Sequence, residues 1–215
     1  MKNALILHGI SGSPRENWFP WLKDELERKG WKVWVPDLPQ SEKPSIERYN
    51  DFIFSSGWKF DEDSVVIGHS AGAVAALGLL EALPPDVTIK EAILVAAFKK
   101  DLGGWDPSGL FKKPFDIKTT KMRVEFWRSL RRGAQSLKGL FEKPFDFEKI
   151  KSHATKFVFI HSDDDPYCAL SGAEYLAKKL GGELVVLPSQ KHFSIGTAGE
   201  QYKKFPFLVE LIEKI

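Results

Sequence analysis

The residues with the clearest capacity for chemistry are Gly68-His69-Ser70-Ala71-Gly72, a G-x-S-x-G run. A serine hydroxyl is a weak nucleophile unless the backbone lifts it clear and a base takes its proton. The spacing suits this task. A serine on a tight strand-to-helix turn sits in strained geometry, and glycines two before and two after remove side chains that would collide with the turn. The helix that follows directs backbone N–H groups toward negative charge developing beside the serine. Asp63-Ser64-Val65-Val66-Ile67 reads as a strand directly before the run, and Ala71 to Leu83 as a helix directly after it. Both are what such an elbow requires.

The hydroxyl needs a base and the base an orienting acid, in the chain order serine, acid, histidine for this kind of elbow. Five histidines are available: His8, His69, His153, His161 and His192. His192 follows the last apolar strand, on a loop at the carboxyl end of the sheet, and is the expected base. His69 is expected to shape the elbow and His153 to lie on the surface. The acid is expected to leave a strand between Ser70 and His192, at His161-Ser162-Asp163-Asp164-Asp165-Pro166-Tyr167. Mutual repulsion keeps the consecutive aspartates from all turning inward. Asp165, directly before Pro166, is the preferred acid and Asp164 the alternative. The others are expected to bond nearby backbone as turn residues. Two backbone N–H groups are expected to receive an oxyanion, one from Ala71 and one from Ile10 in the loop after the first strand.

The elements that must position these residues alternate between short apolar runs and helical spacings. Strands are predicted at Ala4–Leu7, Val33–Val35, Ser64–Ile67, Ile93–Ala97, Phe157–Ile160 and Leu184–Leu187. Helices are predicted at Trp18–Lys29, Ile46–Ser55, Ala71–Leu83, Gly172–Leu180 and Phe207–Ile215. Apolar strands alternating with helices imply a parallel sheet covered on both faces. The expected fold class is α/β: a three-layer sandwich with a mostly parallel sheet of about six strands, an inserted helical segment, and one domain over residues 1–215.

The stretch between the fourth and fifth strands breaks the rhythm and holds a repeat. Gly109-Leu110-Phe111-Lys112-Lys113-Pro114-Phe115-Asp116 returns as Gly139-Leu140-Phe141-Glu142-Lys143-Pro144-Phe145-Asp146, with seven of eight positions identical. Two copies are too few for a solenoid, so a local duplication within an insert at about 101–138 is the simpler account. Met122–Lys138 has helical spacing. Trp105, Phe111, Phe115, Phe126 and Trp127 are read as packing the insert onto the body, with an apolar lid as the alternative.

Composition excludes several classes. A net charge of +2 gives no general attraction to nucleic acid. No segment approaches the ~18 apolar residues of a membrane span, so no stable membrane insertion is expected. Cys168 is the sole cysteine, which fits a reducing compartment; a cytoplasmic protein is expected. The sequence contains no G-x-G-x-x-G, H-E-x-x-H or EF-hand pattern, so neither metal nor cofactor is expected. Lys121 to Lys138 carries six basic residues and one acid, read as a solvated face.

Taken together, His8-Gly9 with Gly12-Ser13-Pro14, Trp18 to Leu22, Pro36-Asp37-Leu38-Pro39, Gly68 to Gly72, Asp164-Asp165-Pro166-Tyr167 and His192-Phe193 resemble the small YdeN-like serine hydrolases, the group that includes the retinoblastoma-binding hydrolase. The resemblance spans nearly the whole chain. It implies a compact α/β-hydrolase fold with little or no cap, and the aspartate before the proline as the triad acid. The chain departs from the family pattern at its insert and at Cys168-Ala169, where the family usually has an aliphatic residue and proline. The expected reaction is acyl transfer from a small carboxylic ester to water, with Ser70, His192 and Asp165 in the reacting roles. Amide or thioester cleavage, or a non-catalytic interaction module on the same fold, are the alternatives.

Overall fold

The computed structural model describes residues 1–99 and 137–214. Six strands, β1 (Asn3–Leu7), β2 (Lys32–Trp34), β3 (Ser64–His69), β4 (Ile89–Val95), β5 (Ala154–Ser162) and β6 (Glu183–Leu187), form one sheet in the order β2-β1-β3-β4-β5-β6. Every pairing is parallel. The helices are α1 (Phe19–Arg28), α2 (Ile46–Ser55), α3 (Ala71–Ala82), α4 (Phe147–Ser152), α5 (Leu170–Leu180), α6 (Ile195–Ala198) and α7 (Pro206–Ile212).

The apolar strands are continuous because the sheet is buried on both faces, and their period of two sorts residues between two cores. In β1, Leu5 and Leu7 enter one core while Ala4 and Ile6 enter the other. In β3, Val66 faces the first and Val65 and Ile67 the second, and in β5 Phe157 and Phe159 part from Val158 and Ile160 in the same way. The first core takes residues of α2, α3, α4 and α5, the second residues of α1 and α7. Three layers result, as expected.

Helix α3 carries no amphipathic stripe because its residues from Ala71 to Leu80 are all buried. Gly78 admits Ile46 of α2, whose side chain would lie 2.5 Å from an added Cβ. Helix α2 starts at Ser45, whose hydroxyl accepts from the Arg48 N–H at 3.4 Å. Helix α5 stops at Gly181, which adopts φ +66°, the left-handed geometry that suits glycine.

Two strands are longer than their apolar runs. β4 begins at Ile89 rather than Ile93, and β5 at Ala154 rather than Phe157. The added portions carry charge that masks them: buried Glu91 and exposed Lys156 pair in register, and the Lys156 ammonium lies 3.1 Å from the Glu91 carboxylate. Helices α4 and α6 are too short to show a helical period. The predicted insert lies outside the described residues except for Leu137 and Lys138. These fall in a 3-10 turn, Leu137–Leu140, rather than at the end of the predicted Met122–Lys138 helix. No described helix is long and apolar enough to cross a membrane.

Candidate active site

The sheet order reverses at β1 and β3. The chain leaves β1 for the β2 side and leaves β3 for the β4 side, which opens a crevice beyond their carboxyl ends. Ser70 stands at the end of β3 and Ile10 just beyond β1, on either side of this switch point.

Ser70 has φ 57° and ψ −120°, a conformation that costs a non-glycine residue about 1–3 kcal/mol. The surrounding backbone holds it there. Its N–H donates to the Val95 carbonyl at 2.9 Å, and its carbonyl accepts from the Ala73 N–H at 2.9 Å. The flanking glycines are sterically required. A Cβ on Gly68 would come within 2.5 Å of the Ala73 Cα, in the first turn of α3. A Cβ on Gly72 would come within 2.2 Å of the Leu7 carbonyl oxygen, so this glycine lets α3 press on the end of β1. Ser70 occupies the N-cap position of α3, yet its hydroxyl caps nothing there. The Ala71 and Ile10 N–H groups find no acceptor among the described residues, and both residues line the cavity at Ser70.

The loop bearing Ile10 is fixed by His8. Its Nε2 accepts from the Leu38 N–H at 3.1 Å, so the proton resides on Nδ1, which donates to the Gly9 carbonyl at 2.9 Å. Burial lowers the His8 pKa, consistent with a neutral ring. Gly9 brings the loop close: its added Cβ would sit 3.2 Å from the Ser70 Cβ.

His192 and Asp165 meet at the carboxyl end of the sheet. The His192 Nδ1 lies 2.8 Å from Asp165 Oδ2, with both side chains almost fully buried. The carboxylate only accepts, so Nδ1 donates, and in the neutral imidazole this tautomer places the lone pair on Nε2. Asp165 Oδ1 accepts from the Tyr167 and Cys168 N–H groups at 2.8 and 3.0 Å.

The neighbouring aspartates differ from expectation. They bond backbone far away in sequence, on the loop that carries His192. Asp163 accepts from the Ser189 N–H at 2.8 Å. Asp164 accepts from the Lys191 N–H at 2.8 Å and pairs with the Lys191 ammonium at 2.7 Å. The hydrogen bond from Lys191 is the main cause holding the Asp164 pKa down to about 2.

His69 does more than shape the elbow: it lies 2.8 Å from the His192 carbonyl and donates to it through Nε2. Burial, then the nearby His192, lower the His69 pKa to about 3, so the ring stays neutral. Trp18 donates its indole N–H to the Phe193 carbonyl at 3.1 Å. His153 is buried rather than exposed, with Nδ1 at 2.7 Å from the Val87 carbonyl. His161 is also buried, and its Nε2 lies 2.9 Å from the Cys168 carbonyl.

A cavity of about 510 Å³ opens over Ser70 and His192. Phe19, Phe98, Leu137, Phe141 and Ala169 give it an apolar wall, and Lys99 and Lys138 also border it. The second copy of the repeat thus reaches the site through Phe141. The first copy, and the aromatic residues Trp105, Phe111, Phe115, Phe126 and Trp127, lie outside the described residues. Sequence reasoning missed two neighbours of the site. The Tyr167 ring stands edge-on to His192 at 5.0 Å, and Cys168 lines the same cavity as Ser70 and His192. The only available signal was their position just after Asp165-Pro166.

The chain is similar to known hydrolases. A family model described as serine hydrolase matches residues 4–214. The putative hydrolase YdeN of Bacillus subtilis is 32% identical over 101 residues, spanning 47% of this chain and 53% of YdeN. The crystal structure of the B. subtilis ydeN gene product superposes with a TM-score of 0.79 at 24% identity, covering 100% of this chain and 98% of that one. The rat serine hydrolase RBBP9 is 24% identical over 197 residues, 88% of this chain and 86% of RBBP9. A structure from work on carboxylesterases of Nitrososphaera gargenis shares the fold, with a TM-score of 0.67 at 13% identity, covering 99% and 91% of the two chains. With its parallel sheet, its strained serine turn and a family match across almost its full length, the chain has the fold of the B. subtilis ydeN gene product and belongs to the serine hydrolase family.

Proposed function

We propose that the chain hydrolyses small carboxylic esters through an acyl-enzyme on Ser70, with His192 as the base, Asp165 as its orienting acid, and the Ile10 and Ala71 N–H groups as the oxyanion hole. The observation that carries this reading is the 2.8 Å contact between His192 Nδ1 and Asp165 Oδ2, beside a serine in strained geometry on the same cavity. Asp165 fixes the imidazole with Nδ1 protonated, which leaves Nε2 to take the Ser70 proton as Oγ attacks the ester carbonyl. Negative charge on the carbonyl oxygen then faces two backbone donors and the start of α3. The tetrahedral adduct collapses, His192 Nε2 gives its proton to the leaving alcohol, and water repeats the sequence to release the acid.

The apolar wall of the cavity supports a substrate with an apolar acyl group, and an ester is its more reactive form. Activity on p-nitrophenyl esters of increasing chain length, measured beside aminoacyl p-nitroanilides, tests this. Each buried methylene contributes about 0.8 kcal/mol, so kcat/KM should rise up to about fourfold per carbon until the cavity is filled. Faster cleavage of the anilides, or equal rates on every ester, contradicts the reading.

A further inference from the structure

Cys168 has no part in the proposed reaction, yet its thiol sits inside the reacting cluster. One ligand atom each from Asp165, Cys168 and His192 lies within 4.8 Å of the others. Cys168 and His192 both line the cavity, which gives an ion a route in from solvent. A thiolate, an imidazole and a carboxylate are the donor set that Zn²⁺ takes, whereas Mg²⁺ and Ca²⁺ take oxygen. Tetrahedral zinc with bonds of about 2.0–2.3 Å places its ligand atoms roughly 3.5 Å apart, within reach of this cluster after small side-chain rotations.

We infer that Asp165, Cys168 and His192 form an inhibitory site for a soft divalent cation of the zinc class. Binding releases the Cys168 thiol proton to solvent, and the His192 Nδ1 proton as well if that nitrogen is the ligand. Sulfur and nitrogen lone pairs enter the metal, and no electron is transferred. The imidazole then cannot serve Ser70. Ligation at Nε2 blocks the basic nitrogen, and ligation at Nδ1 withdraws its basicity and takes Asp165 from it. The inhibition rests on the triad reading, whereas the binding does not.

The test reads the two separately on chelator-stripped full-length protein. Co²⁺ is titrated into wild type and Cys168→Val, and the thiolate-to-cobalt charge-transfer band is followed, then displaced with Zn²⁺. In parallel, p-nitrophenyl butyrate hydrolysis is measured with rising Zn²⁺ and after added EDTA. The expected result is a band saturating at one Co²⁺ per wild-type chain and absent from Cys168→Val. Zn²⁺ should lower the wild-type rate reversibly, with the half-inhibiting concentration raised at least about tenfold in the variant, as loss of a zinc ligand implies. No thiolate band in the wild type overturns the site. If Cys168→Val is inactive, the band comparison alone decides. A band with an unchanged wild-type rate overturns the inhibition. A wild type that hydrolyses no ester without metal counts against the triad reading, and the band still decides the site.

Discussion

Asp163, Asp164 and Asp165 are consecutive, and each grips a different residue of the histidine loop: Ser189, Lys191 and His192. Three like charges are tolerated because each meets its own donor. Of the three, Asp165 alone bonds the His192 side chain, so under the proposed mechanism Asp165→Asn should leave the fold intact and lower kcat by up to about 10⁴-fold, because the amide admits the wrong imidazole tautomer. Circular dichroism beside steady-state kinetics checks this; a wild-type rate in Asp165→Asn removes Asp165 from the account. Asp164 acts on the loop. Its folded pKa of about 2 lies below the ordinary 3.8, so its contribution is complete above pH ~4 and is lost as pH falls through the folded value. Lys191→Ala should weaken that part of the acid dependence, leaving the share from the Ser162 hydroxyl and the residue-191 N–H, read as the pH profile of chemical unfolding. The sequence marked Asp165 by its place before Pro166. It did not show the other two partners, because Ser189 and Lys191 become neighbours only once β6 pairs beside β5.

At the scale of elements, the decisive contacts are backbone against backbone. The start of α3 lies against the end of β1 with no room for a methyl group at Gly72, whereas an added Cβ on Gly196 of α6 meets nothing within 4 Å. Gly72→Ala should therefore destabilise by at least about 1–3 kcal/mol, since overpacking here must move a helix from a strand. Gly196→Ala should stay within about 0.5 kcal/mol of wild type. Equal melting shifts for the pair contradict the close approach. The histidine loop is held by Trp18 from beyond the sheet, so Trp18→Phe should cost about 1–3 kcal/mol by stranding the Phe193 carbonyl, and should lower kcat more than it raises KM. The elbow was legible because its strand and helix adjoin it in sequence. The His69 and Trp18 bonds were not, since they span 123 and 175 residues.

Across the whole molecule, the six strands were legible because a doubly covered parallel sheet needs apolar runs, and the starts of two were not, because charged residues interrupt those runs. Glu91 and Lys156 disguise the starts of β4 and β5 as loop. The buried histidines set the pH response. His8, His69 and His161 all have pKa values lowered by burial, so the unfolded chain binds protons that the native protein does not. Stability should fall as pH drops below the ordinary histidine value of 6.5, and this contribution from His69 should level off only near its folded value of about 3. Urea unfolding at several pH values checks the sign; greater stability at pH 5 than at pH 7 contradicts neutral burial. The repeat was plain in sequence, but of its two copies the structure describes the second, which brings Phe141 to the cavity.

The central claim is that Ser70 is a nucleophile activated by His192 and Asp165. Incubation with a fluorophosphonate, followed by intact-mass and peptide mapping, tests it most directly. The account predicts one adduct per chain on Ser70, no adduct in Ser70→Ala, and labelling slowed by at least about 10²-fold in His192→Ala, the contribution expected of a general base. A folded wild type that takes no label, or an adduct on any residue other than Ser70, contradicts it.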